Sequence, residues 1–397
     1  MKATLIDPGN YTIYYNYCLI DELARQDCAV EMLTTHSVYE NILPPSTIKF
    51  YESYFRYSNR IGKLVKSIKA RKMVRVLEYL FNSMHVLRHV FMRKGNVIHF
   101  IWLFYPPIDY FIIKLLKWKG FPIVYTAHNA LPHEESTRHV NQYKRVYNVV
   151  DHIICLTQFV KEELVDKLHV RKEKISVIAH GDFDFIVNQV KTNQIFHADI
   201  IEKKSSNFTV TYFGLIRPYK GLEYFIKAIP YVIKKHPACK FMIAGKDSEG
   251  NKEYYLRMIC EMNLDSHVSC DFRYIPLSDL ITYLRQTDIV VLPYIASSQS
   301  GNIPMLSKMG IPIIATRVGG LPEMIEEGRN GFLVPPKDEK AIADAIGKFL
   351  NDPSLLDKMK SASINYAKEA FSWKKISMKT IEVYEKVLMA KHFCEGG

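Results

Sequence analysis

The sequence predicts an α/β protein of two Rossmann-like domains that face each other across a cleft, with a last helix returning to the first domain. Three observations lead there. At 397 residues the chain is longer than a single hydrophobic core comfortably supports. Short apolar runs alternate with helix-period segments in both halves, which is the pattern of parallel sheets covered by helices. A polar stretch without clear period, Gln189–Asn207, separates the two series.

In the first half, strands are expected at Ala3–Ile6, Val97–Trp102, Ile123–Ala127, Ile153–Leu156 and Ile175–Ile178. Helical patterns fall at Tyr17–Arg25, Ile61–Phe81, Ile108–Trp118 and Phe159–Leu168. In the second half, strands are expected at Thr209–Phe213, Lys240–Ala244, Val268–Phe272, Ile289–Pro293 and Ile313–Thr316. Helices are expected at Leu222–Lys235, Lys252–Glu261, Leu277–Arg285, Met305–Met309 and Glu339–Leu350, with a long final helix after Phe371-Ser372-Trp373. This divides the chain into an acceptor-side domain, 1–188 with the returning segment 374–397, and a donor-binding domain, 207–373.

Composition excludes several classes. Hydrophobic content of 48% and charged content of 24% are those of a globular protein. The seven cysteines are scattered and form no C-x-x-C pair, which argues against a disulfide framework or structural zinc and fits a reducing cytoplasm. No basic-then-apolar leader precedes the first strand, so no signal peptide is expected. The apolar stretch from Val97 to Trp118 is interrupted by Pro106-Pro107, Asp109 and Lys114, and falls short of the ~20 apolar residues that cross a bilayer.

Net charge is +12, and much of it is local. From Arg56 to Lys94 there are eleven Lys or Arg against one acid, Glu78. Ile61, Leu64, Val65, Ile68, Val76, Leu77, Leu80, Phe81 and Met84 recur there at helical spacing. Two readings fit: a helix on an anionic membrane surface, or a core-facing helix with a solvated basic face. Nucleic acid is not expected as a partner, because no helix-turn-helix, zinc-finger or RNP signature accompanies the charge.

In open parallel sheets ligands sit beyond the carboxyl ends of the strands, so the loops there are the candidate sites. The first, Gly214-Leu215-Ile216-Arg217-Pro218-Tyr219-Lys220-Gly221, runs from a strand into a helix. Backbone N–H groups, a guanidinium and an ammonium there would make an anion site suited to a departing diphosphate. The second holds Ser297-Ser298-Gln299-Ser300-Gly301-Asn302, small and hydroxyl residues that could serve phosphate or sugar, or only a flexible connection. The third, Arg317-Val318-Gly319-Gly320-Leu321-Pro322-Glu323, carries a glycine pair and an acid near an expected helix start.

In the first half His128 ends a strand, with Asn129, His133 and Glu134 close behind. It could donate to developing charge or orient a nucleophile, although most single histidines do neither. Asp182-Phe183-Asp184 has the spacing of a metal motif, but its place at the exit of the first domain gives no reason to assign a metal.

Together these segments resemble the retaining glycosyltransferase family 4, whose members have the GT-B fold. The resemblance rests on Gly214 to Gly221, on Gly310-Ile311-Pro312 through Glu323, and on Gly328 with Gly331-Phe332-Leu333-Val334-Pro335-Pro336 and Asp338. Tyr125-Thr126-Ala127-His128-Asn129, Ala244-Gly245-Lys246 and Phe371-Ser372-Trp373 support it. It implies that Arg217 and Lys220 hold the donor diphosphate and that His128 lies beside the transferred sugar. Gly214, Ser300, Gly301, Asn302 and Glu323 would complete the nucleotide-sugar site. Many members carry a spaced pair of glutamates where this chain has Ser297 and Met305, and the loop resembles a branch associated with bacterial polysaccharide assembly. The N-terminal loop, Asp7-Pro8-Gly9-Asn10, keeps one glycine of that family's glycine-rich turn.

The expected activity is transfer of a hexosyl unit from a UDP- or GDP-sugar to a saccharide acceptor, lipid-linked or free, without cofactor or essential metal. An alternative is a nucleotide-sugar-binding regulatory protein derived from such a transferase. An epimerase of similar architecture is a third reading, for which the sequence offers no paired carboxylates.

Overall fold

The computed structural model describes residues 1–36, 42–46, 48–61, 67–93, 96–132, 137–183 and 207–395. They form two compact units, one of residues 1–183 with 373–395 and the other of residues 207–372.

The first unit runs β1 (Lys2–Asp7), α1 (Ile13–Arg25), β2 (Ala29–Thr34), β3 (Lys49–Glu52), α2 (Ser58–Ile61), α3 (Ile68–Phe91), β4 (Val97–Phe100), α4 (Pro106–Trp118), β5 (Ile123–Ala127), α5 (Thr137–Val149), β6 (His152–Cys155), α6 (Gln158–Asp166) and β7 (Ile175–Val177). Its sheet has the order β3-β2-β1-β4-β5-β6-β7, and all pairings are parallel. The second unit runs β8 (Thr209–Phe213), α7 (Leu222–Ile233), β9 (Lys240–Ala244), α8 (Lys252–Glu261), β10 (Val268–Asp271), α9 (Leu277–Gln286), β11 (Ile289–Leu292), α10 (Asn302–Lys308), β12 (Ile313–Thr316), β13 (Gly331–Val334), α11 (Glu339–Asn351) and α12 (Pro353–Ala370). Its parallel sheet is ordered β10-β9-β8-β11-β12-β13. Strand order reverses beside β1 and beside β8, which puts the loops after β1, β4, β8 and β11 at the two switch points.

The last helix, α13 (Trp373–Glu395), belongs to the first unit and packs on α1. Two contacts anchor it. The Tyr384 hydroxyl lies 2.7 Å from His99 Nδ1, and the indole N–H of Trp373 donates to the Asp182 carbonyl. Trp373 explains Gly181, since a Cβ there would fall 2.3 Å from the indole ring.

All ten expected strands are present, and three more were not foreseen. β2 carries Glu31 in a buried run, which breaks its apolar signal; the carboxylate is met by Thr4 Oγ1 at 2.8 Å, His89 at 3.3 Å and Arg93. β3 is a half-exposed edge with a charge at each end. β13 opens on Gly331, whose missing side chain leaves room for the Ile313 carbonyl, 2.0 Å from where a Cβ would stand. Helices α5 and α12 were likewise missed. Asp352 caps α12 through the Ser354 N–H at 3.0 Å, and Pro353 sits in its first turn, where no N–H is needed.

The expected helix Ile61–Phe81 requires correction. A short α2 ends at Ile61 and α3 runs Ile68–Phe91, while Leu64 and Val65 lie outside the described residues. The buried stripe of α3 is Tyr79, Ser83, Val86 and Val90. Leu77, Leu80, Phe81 and Met84, which a core-facing helix would bury, are exposed.

Candidate functional site

In the second unit the ends of β8, β9, β11 and β12 lie side by side, and glycines determine how closely their loops approach. Gly214 follows β8 with φ +133°, and Gly245 follows β9 with φ +153°, conformations that side-chain-bearing residues rarely adopt. A Cβ on Gly245 would stand 1.8 Å from the Gly214 carbonyl oxygen. The Gly214 N–H donates to the Ala244 carbonyl at 3.1 Å, so the two loops leave the sheet in contact.

Arg217 then precedes a single 3-10 turn, Pro218–Lys220, closed by Gly221 in the left-handed region at φ +67°. A Cβ at Gly221 would meet the Pro293 carbonyl at 2.0 Å. That contact sets the β8 loop against the β11 loop, and the Ile295 N–H donates to the Tyr219 carbonyl at 2.8 Å. Lys220 Nζ consequently lies 3.6 Å from the centre of the Tyr294 ring, a cation–π contact that holds the ammonium without neutralising it. Arg217 is half-buried, and among the described residues its Nε has no hydrogen-bond partner. A buried guanidinium N–H without a partner costs free energy unless a ligand satisfies it.

Asn302, the first residue of α10, donates from Nδ2 to the Phe213 carbonyl at 3.3 Å, and the same atom lies 3.3 Å from where a Gly214 Cβ would be. The loop before it is packed rather than loose. Ser297, Ser298 and Ser300 are all buried, Ser297 Oγ donates to the Gln299 carbonyl at 2.7 Å, and Ser300 Oγ lies 3.4 Å from the Tyr294 hydroxyl. Gln299 Oε1 is buried with no partner among the described residues. The third loop joins through the Gly320 N–H, which donates to the Ser297 carbonyl at 3.2 Å. Arg217, Lys220, Gly214, Ser300, Gly301 and Asn302 are therefore brought to one end of one sheet. Glu323 differs from expectation: it ends a 3-10 turn, Leu321–Glu323, instead of opening an α-helix, and its side chain is exposed. Met305 is buried in α10, consistent with a packing residue rather than a ligand.

In the first unit His128 follows β5 and is buried against aromatic rings. It stacks on Trp102 at 4.5 Å with an interplanar angle of 4°, and Tyr15 meets it edge-on at 5.0 Å. Both ring nitrogens lack a partner among the described residues. Burial, with His180 and His99 nearby, holds its pKa well below the usual histidine value, so it is neutral at pH 7. His180 Nδ1 lies 2.7 Å from the Gly181 carbonyl, and burial pulls its pKa down to about 4. His133, Glu134 and Asp184 lie outside the described residues.

Sequence reasoning missed two residues packed on His128, Trp102 and Tyr15, and one at the end of β1, Asp7. Trp102 lies in the segment after β4, with its indole N–H on Thr12 Oγ1 at 2.9 Å. Tyr15 of α1 bridges His128, His180 and Trp373. Asp7 ends β1 and takes the place of a glycine-rich turn: its carboxylate accepts from the N–H groups of Gly9 and Asn10 and from Asn16 Nδ2 at 2.7 Å. Burial raises its pKa to about 6 against those bonds. For Asp7 and Trp102 the available signal was position, each standing at the end of an expected strand; Tyr15 had none.

Residues 14–181 match the family model described as Glycosyltransferase Family 4, and residues 207–352 match that described as Glycosyl transferases group 1. A D-inositol 3-phosphate glycosyltransferase of Corynebacterium efficiens is 27% identical over 307 residues, 70% of this chain and 68% of that protein. An uncharacterized glycosyltransferase of Methanocaldococcus jannaschii is 26% identical over 251 residues, spanning 62% of this chain and 63% of its own length, just under two thirds. The capsular polysaccharide biosynthesis glycosyltransferase CapM of Staphylococcus aureus is 26% identical over 213 residues, 51% of this chain and 53% of that one. Among solved structures, sucrose-phosphate synthase from Thermosynechococcus elongatus superposes with a TM-score of 0.73 at 19% identity, covering 98% of this chain and 100% of that one. Anabaena HepE in complex with UDP gives 0.70 at 16% identity, covering 97% and 100%. With one matching model on each of its two parallel-sheet units, the chain belongs to the family 4, group 1 glycosyltransferases of GT-B fold.

Proposed function

We propose that this protein transfers a hexosyl group from a UDP- or GDP-sugar to a saccharide acceptor in the synthesis of a cell-surface polysaccharide or glycoconjugate. The observation that carries the reading is the β8 loop, where Arg217 and Lys220 are set beside glycine backbone with the Arg217 Nε unsatisfied. As the glycosidic bond to the donor breaks, negative charge grows on the leaving diphosphate. A guanidinium and an ammonium already in place stabilise that charge without reorganising, which is where such a site gains rate. Ser300, Gly301 and Asn302 contact the donor sugar or its phosphate from the adjoining loop. His128, neutral and with ring nitrogens that no described residue bonds, donates to or accepts from a hydroxyl of the transferred sugar. The reaction needs no metal, because these groups meet the diphosphate charge themselves.

HepE has been crystallised with UDP and with UDP-glucose, and CapM is named for capsular polysaccharide; both support a UDP-sugar and a polysaccharide product here. The protein works in the cytoplasm, and with a lipid-linked rather than a free saccharide acceptor the 56–94 region would hold it at the anionic inner face of the membrane. A panel of UDP- and GDP-sugars, scored by thermal shift and then by nucleotide release with a saccharide acceptor, tests this. Turnover that survives both Arg217→Ala and Lys220→Ala sinks the assigned site, and turnover lost to EDTA sinks the metal-free step. Donor-induced stabilisation with no transfer to any acceptor favours a binding or regulatory protein, the reading that Ser297 and Met305 in place of acids would suit.

A further inference from the structure

The outward faces of α3 and α4 are explained by neither the phosphate loops nor the buried histidines. The two helices cover the same face of the first sheet: the β3–β4 and β4–β5 crossovers run in the same direction across it, the right-handed rule then puts both on one side, and the helices pack on each other in one core. They are tied together where the Tyr79 hydroxyl of α3 donates to Asp109 of α4, which also accepts from the N–H groups of Phe104 and Tyr105 at 2.8 and 2.9 Å. The inner stripes, Tyr79, Val86 and Val90 on α3 and Ile112, Ile113 and Leu116 on α4, are buried.

The opposite stripes are apolar as well. Leu77, Phe81 and Met84 of α3 and Phe111, Leu115 and Trp118 of α4 all face outward, with Phe81 69%, Phe111 68% and Trp118 74% exposed. Single exposed apolar residues are ordinary, but two adjoining helices each presenting such a stripe mark an interaction surface. Its margin is cationic. Lys69 and Arg88 of α3 and Lys114 of α4 are exposed on or beside these stripes, and Lys119 follows α4 with its Nζ 4.3 Å from the Trp118 ring centre. Each helix carries one acid, so cations outnumber acids on both. Glu78 accepts from the N–H groups of Tyr57 and Ser58 at 2.8 and 2.7 Å, and Asp109 is buried.

We propose that the outer face of α3 and α4 is a bilayer-docking surface. The six apolar side chains enter the boundary between headgroups and acyl chains, and the lysines and arginines around them meet anionic headgroups. An aromatic ring beside a lysine suits that boundary, where an apolar body and a charged tip are both accommodated. The inference rests on the membrane part of the proposed function and deepens it: the contact reaches beyond 56–94 onto α4, and insertion adds to charge. Binding is scored without turnover, so the outcome is independent of the transferase reading.

The test is sedimentation of the full chain with vesicles of phosphatidylcholine alone and of phosphatidylcholine with phosphatidylglycerol, at low and high salt. The expected result is binding to the anionic vesicles that salt weakens but does not abolish. The Phe111→Ser/Trp118→Ser variant, with an unchanged melting temperature since both side chains are exposed, should bind at least about tenfold more weakly. Emission from Trp118, compared with that of Trp118→Phe, should shift to the blue on binding. Binding abolished by salt and untouched by the double variant overturns the insertion face and leaves only electrostatic contact through 56–94. No binding to either vesicle overturns both, and a dimer in solution that the double variant dissociates assigns the face to a second copy of the chain instead.

Discussion

In the second unit the two cations assigned to the ligand, Arg217 and Lys220, stand half-exposed on a loop whose course is set by glycines at 214, 221 and 245. In the first unit three histidines near the strand ends, His99, His128 and His180, are buried among rings and held toward their neutral forms. The two regions prepare for charge in opposite ways. The second keeps charge permanently and positions it through backbone geometry. The first keeps its histidines uncharged, leaving neutral donors and acceptors in a place of low polarity. That division suits a reaction in which one partner is a diphosphate and the other an uncharged sugar.

The comparison can be broken most forcefully at its glycines. Gly245→Ala and Gly221→Ala should each cost more than about 3 kcal/mol, because the added carbon meets backbone oxygen at 1.8 and 2.0 Å in a left-handed or similarly restricted conformation. Urea denaturation would show it, and a loss below about 1 kcal/mol would mean the loops can part freely. Next in size, Arg217→Ala should lower turnover by roughly 10²–10³ while leaving the melting temperature unchanged, the signature of a group that acts on the leaving charge. His128→Ala should cost about 10² in turnover with the nucleotide-induced thermal shift intact. A lost shift would place His128's effect on donor binding instead.

The pH dependence sharpens the contrast further. His99, between Tyr384 and Thr126, has its pKa lowered by burial to about 3. Between its ordinary unfolded value near 6.5 and that point, the unfolded chain takes up a proton that the folded one refuses, so stability falls as pH falls. Asp109, raised by burial to about 7, has the opposite sign: its contribution is complete below about 4 and is lost as pH rises through 7. Between pH 7.5 and 5, His99→Gln should therefore lose less stability than the parent and Asp109→Asn should lose more. Parallel melting curves for all three proteins would contradict the burial argument. The smallest effect on donor binding is expected from Tyr294→Leu, which removes the ring under the half-exposed Lys220 and should weaken binding about threefold; because the ring is buried, the melting temperature should fall as well.

Much of this was legible along the chain because its signals are local. Strand–helix alternation, a Gly-to-Gly loop with two cations and a histidine at a strand end all lie within windows of a few residues. The misses share a different cause. β2 was hidden by Glu31, whose burial makes sense only once His89 and Arg93 of α3 and its flank are beside it. β13 was hidden by Gly331, which exists for a carbonyl on the neighbouring strand. Trp102 and Tyr15 carried no motif, and only packing sets them around His128.

By itself the sequence determined the two parallel-sheet units, the loop that bears Arg217 and Lys220, and the concentration of positive charge between 56 and 94, because period, turn residues and charge are properties of neighbours in the chain. Tertiary structure alone decided which side of α3 is buried, since an apolar stripe reads the same whether it meets a core or faces outward. It alone also decided that, among the described residues, Arg217 keeps an N–H and His128 two ring nitrogens without partners, because a hydrogen bond is satisfied or not by groups far away in sequence.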